Sequence, residues 1–208
     1  MEEFTLDVID VKRDGSCFFS AIALAMNQSI DLWQDYEFLR NIMEYYWDKY
    51  IEEHGLLEEV TPHLIRFICS ENIDSDIFET YCIEAKDRIN EKEKHVKQFK
   101  TLDEMKEGFL NGGAWGDHSS IRAFFKAFGT RCSLVIIDED FNGVVFFQKE
   151  WTKRKDMYIC IQRVVNHYQT VQLICNEEKM NMCLTRKEIL RFKRFVNYAI
   201  PGSIKNDY

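Results

Sequence analysis

Near the N-terminus, the spacing of apolar residues changes from the period of a strand to that of a helix. Alternation over residues 4–11 predicts a short strand that leads into a turn at Asp14-Gly15. Residues 16–27 have helical periodicity, with the small side chains of Ala21 and Ala25 on one face. Because small residues allow close approach, we expect this helix to lie directly on a sheet.

The next part of the chain, residues 31–100, is dominated by helical periodicity. One helix is predicted to begin at Asp31, and its aromatic and aliphatic face through Tyr50 is expected to lie in the core. Further helices are predicted after Thr61-Pro62, around residues 78–89, and from the capping box Thr101–Glu104 to Asn111-Gly112-Gly113. The region is therefore predicted to form a helical lobe.

The C-terminal half changes to a strand pattern. A loop at residues 114–118 is predicted to precede a helix at 121–128, capped by Asp117 or Ser119. Strands are then predicted at residues 132–138, 143–148, 157–165 and 167–175. A second capping box, Thr185–Glu188, is predicted to open a basic helix near the C-terminus.

Taken together, these elements predict an α+β fold in which a helical lobe packs on a small, mainly antiparallel sheet. One domain is expected over residues 1–176, and residues 177–208 are expected to form a basic helical extension packed on it. Four apolar side chains of the extension are predicted to pack inward, namely Ile189, Leu190, Phe192 and Val196.

Composition and charge exclude several classes of protein. Apolar residues make up 46% of the 208 residues, which excludes a disordered chain. The net charge of −8 argues against broad nucleic-acid binding, which needs a cationic surface. No apolar run is long enough for a membrane span, and the N-terminus lacks the pattern of a secretory leader. The sequence predicts an intracellular, cytoplasmic protein, in the host cytoplasm if its source is a virus or a bacterial pathogen.

The cysteines and histidines do not have the spacing of a metal site. Seven cysteines are an odd number, and most lie in apolar runs that are typical of buried, reduced thiols. No CxxC pair occurs, and the five histidines have neither HxxxH nor HExxH spacing. We therefore expect no structural zinc.

Two residues far apart in the chain indicate nucleophilic catalysis by a thiol. Cys17 is predicted at the N-terminus of the first helix, where free backbone N–H groups and the helix dipole favour a thiolate. His167 is predicted on the last strand, and an imidazole can take the thiol proton and later give it to a leaving amine. This pair predicts a thiol-protease site.

Three segments resemble, in order, motifs of the ovarian tumour (OTU) family of cysteine deubiquitinases. Asp14-Gly15-Ser16-Cys17 is similar to the D-G-x-C nucleophile motif. Trp115-Gly116-Asp117-His118, followed by Ile121-Arg122-Ala123, is similar to the W-G-x-x stretch and the helix behind it. Asn166-His167-Tyr168-Gln169 is similar to the histidine strand. The resemblance extends from residue 14 to about residue 171, so residues 1–176 would be an OTU-like catalytic domain.

The resemblance implies a papain-like OTU fold and a thiol-dependent deubiquitinase that needs neither a metal nor an organic cofactor. Its partner would be ubiquitin, polyubiquitin or a ubiquitin-like modifier, cleaved at the isopeptide bond after the C-terminal Gly-Gly. Cys17 would be the nucleophile, His167 the general base, and Asp14 part of the loop whose amides line the oxyanion hole. Residues of two loops would bind the substrate tail: Gly112, Gly113, Trp115 and Asn166.

The residue that orients the histidine departs from the family pattern. Many family members place Asp or Asn two residues after the histidine, whereas this chain has Gln169. Its amide oxygen can accept a hydrogen bond from the imidazole, but it supplies no negative charge. Some relatives provide the acid from a segment before the cysteine, where Asp7 or Asp10 could act here. The sequence leaves these three residues open, and it does not favour His118 as the base, because that residue is predicted at a helix start.

Two other functions stay open at this stage. Gln169 is compatible with a catalytically weak OTU-like domain that binds ubiquitin as an interaction module, although the retained Cys17 and His167 oppose it. Gly15-Ser16-Cys17-Phe18 also partly matches the pattern of papain-like endopeptidases. No glutamine precedes Cys17 to supply their side-chain oxyanion donor.

Overall fold

The computed structural model describes residues 3–90, 98–112, 117–129, 131–139, 144–147, 156–165, 167–199 and 204–207. Within these ranges the protein has the predicted α+β architecture, with helices on a sheet. The strands are β1 (Phe4–Ile9), β2 (Cys132–Asp138), β3 (Val144–Phe147), β4 (Met157–Val164), β5 (His167–Cys175), β6 (Glu178–Lys179), β7 (Cys183–Thr185) and β8 (Ile204–Asp207).

The sheet is mixed but mainly antiparallel, as the sequence predicts. Its strand order is β1-β5-β4-β2-β3-β8, with β6 paired to β5 and β7 paired to β4. Among the described pairs, β2 with β4 and β3 with β8 are parallel, and the others are antiparallel. The strands β6 and β7 were not predicted, because two or three residues are too few for an alternating pattern to stand out. The strand β8 was also missed, and its polar sequence Ile204-Lys205-Asn206-Asp207 has no apolar alternation.

The helices are α1 (Cys17–Asn27), α2 (Ile30–Gln34), α3 (Glu37–His54), α4 (Pro62–Glu71), α5 (Ser75–Asn90), α6 (Leu102–Leu110), α7 (His118–Phe128) and α8 (Arg186–Ala199). The single helix predicted from Asp31 is wrong, since Asp31 lies inside α2 and α3 begins only at Glu37. Tyr36, between them, has an extended backbone (φ −99°, ψ 102°), which cannot continue a helix. The apolar period continues across this break, which is why the pattern gave no sign of it.

Capping residues fix the beginnings of three helices: Thr101 and Asp117, which were predicted as caps, and Thr61, which was predicted only to precede its helix. Their side-chain oxygens accept backbone N–H bonds at 3.1 Å: Thr61 from Leu64, Thr101 from Glu104, and Asp117 from Ser120. Each bond satisfies a backbone donor that has no partner within its own helix. Of the two residues considered for α7, Asp117 is the cap.

The central strands β2 and β4 are buried on both faces. On β2, Leu134 and Ile136 belong to the core shared with the helical lobe, whereas Val135 and Ile137 belong to a second core that contains the apolar face of α8. In α8 the buried residues are Ile189, Phe192 and Val196. The inward position expected for Leu190 is wrong, because its side chain is 42% exposed. The proposed division of the chain at residue 176 stays a prediction.

Candidate active site

Cys17 is the first residue of α1 and lies almost buried, with 6% of its surface exposed. Its backbone N–H is one of the first-turn donors that have no acceptor within the helix. The position therefore brings a positive helix end to the sulfur, as the sequence predicts. Helix N-termini are positions at which cysteines commonly act as nucleophiles.

The turn before Cys17 is held by the two residues that open the motif. The Asp14 Oδ1 atom accepts a hydrogen bond from the Ser16 N–H at 3.0 Å, so this carboxylate fixes the turn locally. Gly15 has φ +79°, a left-handed conformation that glycine adopts without strain from a β-carbon. Asp14 thus shapes the loop and does not reach the histidine in the described contacts.

The first residues of β5 bring the strand that carries the predicted histidine to the sulfur. The Tyr168 N–H donates a hydrogen bond to Cys17 Sγ at 3.5 Å, and His167 directly precedes it on the strand. The Thr170 hydroxyl donates to the Ala21 carbonyl at 3.1 Å, which fixes α1 against β5. The small residues of α1 permit this close packing, as expected.

Asp10 contacts the imidazole directly. The His167 Nε2 atom lies 2.8 Å from Asp10 Oδ1, and Gln169 Nε2 donates to the same oxygen at 3.0 Å. Because an ionised carboxylate can only accept, Nε2 carries the hydrogen and Nδ1 carries the lone pair. The hydrogen bonds from Gln169 and then from His167 lower the pKa of Asp10 below its ordinary value. The ring is therefore held in the tautomer whose Nδ1 lone pair can accept a proton.

The three residues left open by the sequence have different positions. Asp10 contacts the histidine. Gln169 contacts Asp10 through its NH₂ group, whereas the sequence analysis expected its carbonyl oxygen to bind the imidazole. Asp7 lies on β1 and pairs with Lys179 at 2.8 Å. The register of β1 on β5 explains the difference, because Ile9 faces Thr170 and the next residue, Asp10, reaches the start of β5.

The predicted substrate-binding residues are described only in part. Gly112 is exposed just after α6 and has φ +79°. Gly113, Trp115 and Asn166 lie outside the described residues. His118, the rival histidine, pairs instead with Glu84 at 3.4 Å.

One buried residue near the nucleophile was missed by the sequence analysis. Arg66 on α4 is only 2% exposed, and it donates to the backbone of the turn before Cys17. The signal in the sequence is an arginine inside the apolar run from Leu64 to Cys69, where a charged residue is unusual.

All seven cysteines lie within the described residues and are free thiols, six of them buried. In the described part of the chain, no three side chains of the metal-binding types come together. Nor does that part contain a helix both long enough and apolar enough to span a membrane.

Solved structures of OTU proteins are similar to this chain. An OTU domain in complex with ubiquitin is 19% identical, covering 88% of this chain and 77% of its own, with a TM-score of 0.46. An OTU deubiquitinase from Wolbachia pipientis wMel is 13% identical, covering 90% and 96%, with a TM-score of 0.49. The viral OTU domain protease from Farallon virus is 20% identical, covering 84% and 89%, with a TM-score of 0.37. No protein-family model matches the sequence, and no curated protein matches it.

Replacing Asp10 by alanine is expected to lower kcat about ten-fold, because the histidine loses its charged acceptor. The loss is limited because the Asp10 side chain is 64% exposed and water can partly replace it. The measurement is steady-state hydrolysis of a ubiquitin substrate, which is the activity proposed below. Asp7→Ala is the matched control, since Asp7 lies three residues earlier, on β1, and pairs with Lys179. An equal loss in both variants would contradict the assignment of Asp10.

Proposed function

We propose that this chain is an OTU-type, thiol-dependent deubiquitinase that hydrolyses isopeptide bonds at the C-terminus of ubiquitin. The observation that carries the proposal is the Asp10–His167 contact beside a cysteine at a helix N-terminus. The charge that Gln169 cannot supply is provided by Asp10. This supports an enzyme over a catalytically weak binding module.

In the proposed reaction, His167 Nδ1 takes the proton of Cys17, and the thiolate attacks the carbonyl of the terminal glycine. The oxygen of the tetrahedral intermediate becomes negative near the N-terminus of α1, where the Cys17 N–H can donate to it. The imidazolium, stabilised by Asp10, gives its proton to the lysine amine as the C–N bond breaks. In the second half of the reaction, His167 Nδ1 takes a proton from water as the water attacks the thioester carbonyl. The Cys17 sulfur then leaves and takes that proton back from the imidazolium.

The choice of ubiquitin as substrate rests on the three motifs and their order along the chain. The nucleophile turn and the histidine strand bring their residues to one site. The W-G-x-x stretch ends with His118, the first residue of α7, and its Asp117 caps that helix. The predicted tail-binding residues Gly112, Gly113, Trp115 and Asn166 belong to this proposal, as does a cytoplasmic location, where ubiquitin conjugates occur.

Incubation with a ubiquitin probe that carries a C-terminal thiol-reactive group tests the proposal. We expect one adduct per chain, mapped by mass spectrometry to Cys17. A ubiquitin probe that lacks the two C-terminal glycines is the matched control and should leave the protein unmodified. If folded protein forms no adduct with the complete probe, the substrate is wrong, and parallel probes with ubiquitin-like modifiers would identify the alternative.

A further inference from the structure

Arg66 places a buried positive charge under the turn that precedes the nucleophile. It lies in the middle of α4, is 2% exposed, and its guanidinium stacks over the Phe19 ring at 4.1 Å. A charged group is costly to bury, so a fully buried arginine is normally held by several acceptors. The acceptors of Arg66 indicate what it does.

The guanidinium fixes one particular peptide group. Arg66 Nη2 donates to the Gly15 carbonyl and to the Ser16 hydroxyl, each at 3.0 Å. The N–H of the same Gly15–Ser16 peptide donates to Asp14 Oδ1 at 3.0 Å. The peptide is therefore held at its carbonyl edge by a cation and at its amide edge by a carboxylate. It cannot rotate without losing both bonds.

The orientation of this peptide matters for the proposed reaction. The Gly15 carbonyl points toward a buried side chain and hence into the protein. If the peptide rotated, a carbonyl dipole could turn toward the oxygen that becomes negative in the transition state. A dipole of that sign would oppose the stabilisation given by the helix N-terminus.

The same guanidinium also reaches the helical lobe. Arg66 Nη1 donates to the Phe109 carbonyl at 3.0 Å, in the last turn of α6. That turn leads directly to Gly112, one of the predicted tail-binding residues. One side chain thus connects the turn before the nucleophile to the segment that is proposed to bind the substrate.

The charge of Arg66 is coupled to its surroundings. Burial lowers the pKa of Arg66, whereas Cys69, Asp14 and Cys17 raise it. An arginine stays protonated under such conditions. Its positive charge lies against the Ser16 hydroxyl, one residue before Cys17.

We infer that Arg66 is a positioning residue for Cys17: it holds the Gly15–Ser16 peptide with its carbonyl turned inward and supports the negative charge of the reacting groups. The inference rests on the proposed function for its effect on turnover. It also predicts an effect on the reactivity of Cys17 itself, which does not depend on ubiquitin.

The test compares two variants. Arg66→Met removes both the charge and the hydrogen-bond donors. Arg66→Lys keeps the charge, but its single amine cannot donate to the Gly15 and Phe109 carbonyls together as the guanidinium does. For Arg66→Met we expect kcat to fall about 100-fold, with a smaller change in KM, as for a misplaced reacting group. We expect a parallel fall in the rate at which iodoacetamide alkylates Cys17 at constant pH. Arg66→Lys should keep more of the alkylation rate than of kcat.

A control for simple loss of stability is Ile189→Ala, in the second core on the other face of the sheet. All variants are assayed well below their unfolding midpoints. Ile189→Ala should be less stable than the wild type yet keep its kcat and alkylation rate.

The inference is wrong if folded Arg66→Met has the same kcat and the same rate of Cys17 alkylation as Ile189→Ala. If Arg66→Met does not fold, Arg66→Lys decides, since a wild-type kcat in that variant would equally contradict a positioning role. Failure of the proposed function gives a different result. In that case the wild type would process no ubiquitin substrate, while Cys17 alkylation would still depend on Arg66.

Discussion

Replacing Cys17 by alanine is expected to lower the hydrolysis of a ubiquitin isopeptide by at least about 10⁴-fold, because the variant lacks the sulfur that is proposed to form the thioester. Labelling by the ubiquitin probe should disappear as well. The variant should fold, since the change removes one sulfur atom from a site that is 6% exposed and costs about 1 kcal/mol of unfolding free energy.

Cys82→Ala is the matched control for Cys17→Ala. Cys82 is the one cysteine of the seven that is not buried, so it would be the first to react if exposure alone decided. We expect this variant to keep full turnover and full labelling. Wild-type turnover in Cys17→Ala would show that the nucleophile lies elsewhere.

Replacing His167 by alanine is expected to lower kcat about 10³-fold, the contribution of a well-placed general acid and base. The loss should exceed that of Asp10→Ala, because Asp10 acts only through the ring. Probe labelling of Cys17 should slow to a similar degree, since the thiol loses the group that takes its proton. Both are measured on protein whose thermal unfolding has been checked.

His118→Ala is the matched control for His167→Ala. The His118 side chain is 65% exposed and pairs with Glu84, so its removal should leave kcat within about twofold of the wild type. A large loss in His118→Ala together with a small one in His167→Ala would reverse the assignment of the base.

Features that depend on short segments were predictable from the sequence. The caps of α6 and α7 need only one side chain and an N–H three residues away, and they lie where the capping patterns indicate. Cys17 at a helix start and His167 at a strand start are local features of the same kind. Their proximity could be inferred because each belongs to a distinct motif.

Features that depend on register or packing were not predictable. The choice of Asp10 over Asp7 needs the pairing of Ile9 with Thr170, which no local pattern specifies. Arg66 has a role only because α4 packs against both the turn before α1 and the end of α6. The break at Tyr36 was hidden because the apolar period is the same on both sides of it.

The position of β1 in the sheet affects how the protein is made. In the described structure, β1 pairs only with β5, so the strand that carries Asp7 has no partner until almost the whole domain has been synthesised. Cys17 leaves the ribosome early, whereas His167 leaves it late, and such long-range pairing is slow to form. A nascent chain would therefore carry an unprotected thiol and no activity. The appearance of turnover would report the completion of folding. Oxidants would modify the Cys17 thiol most readily before that point.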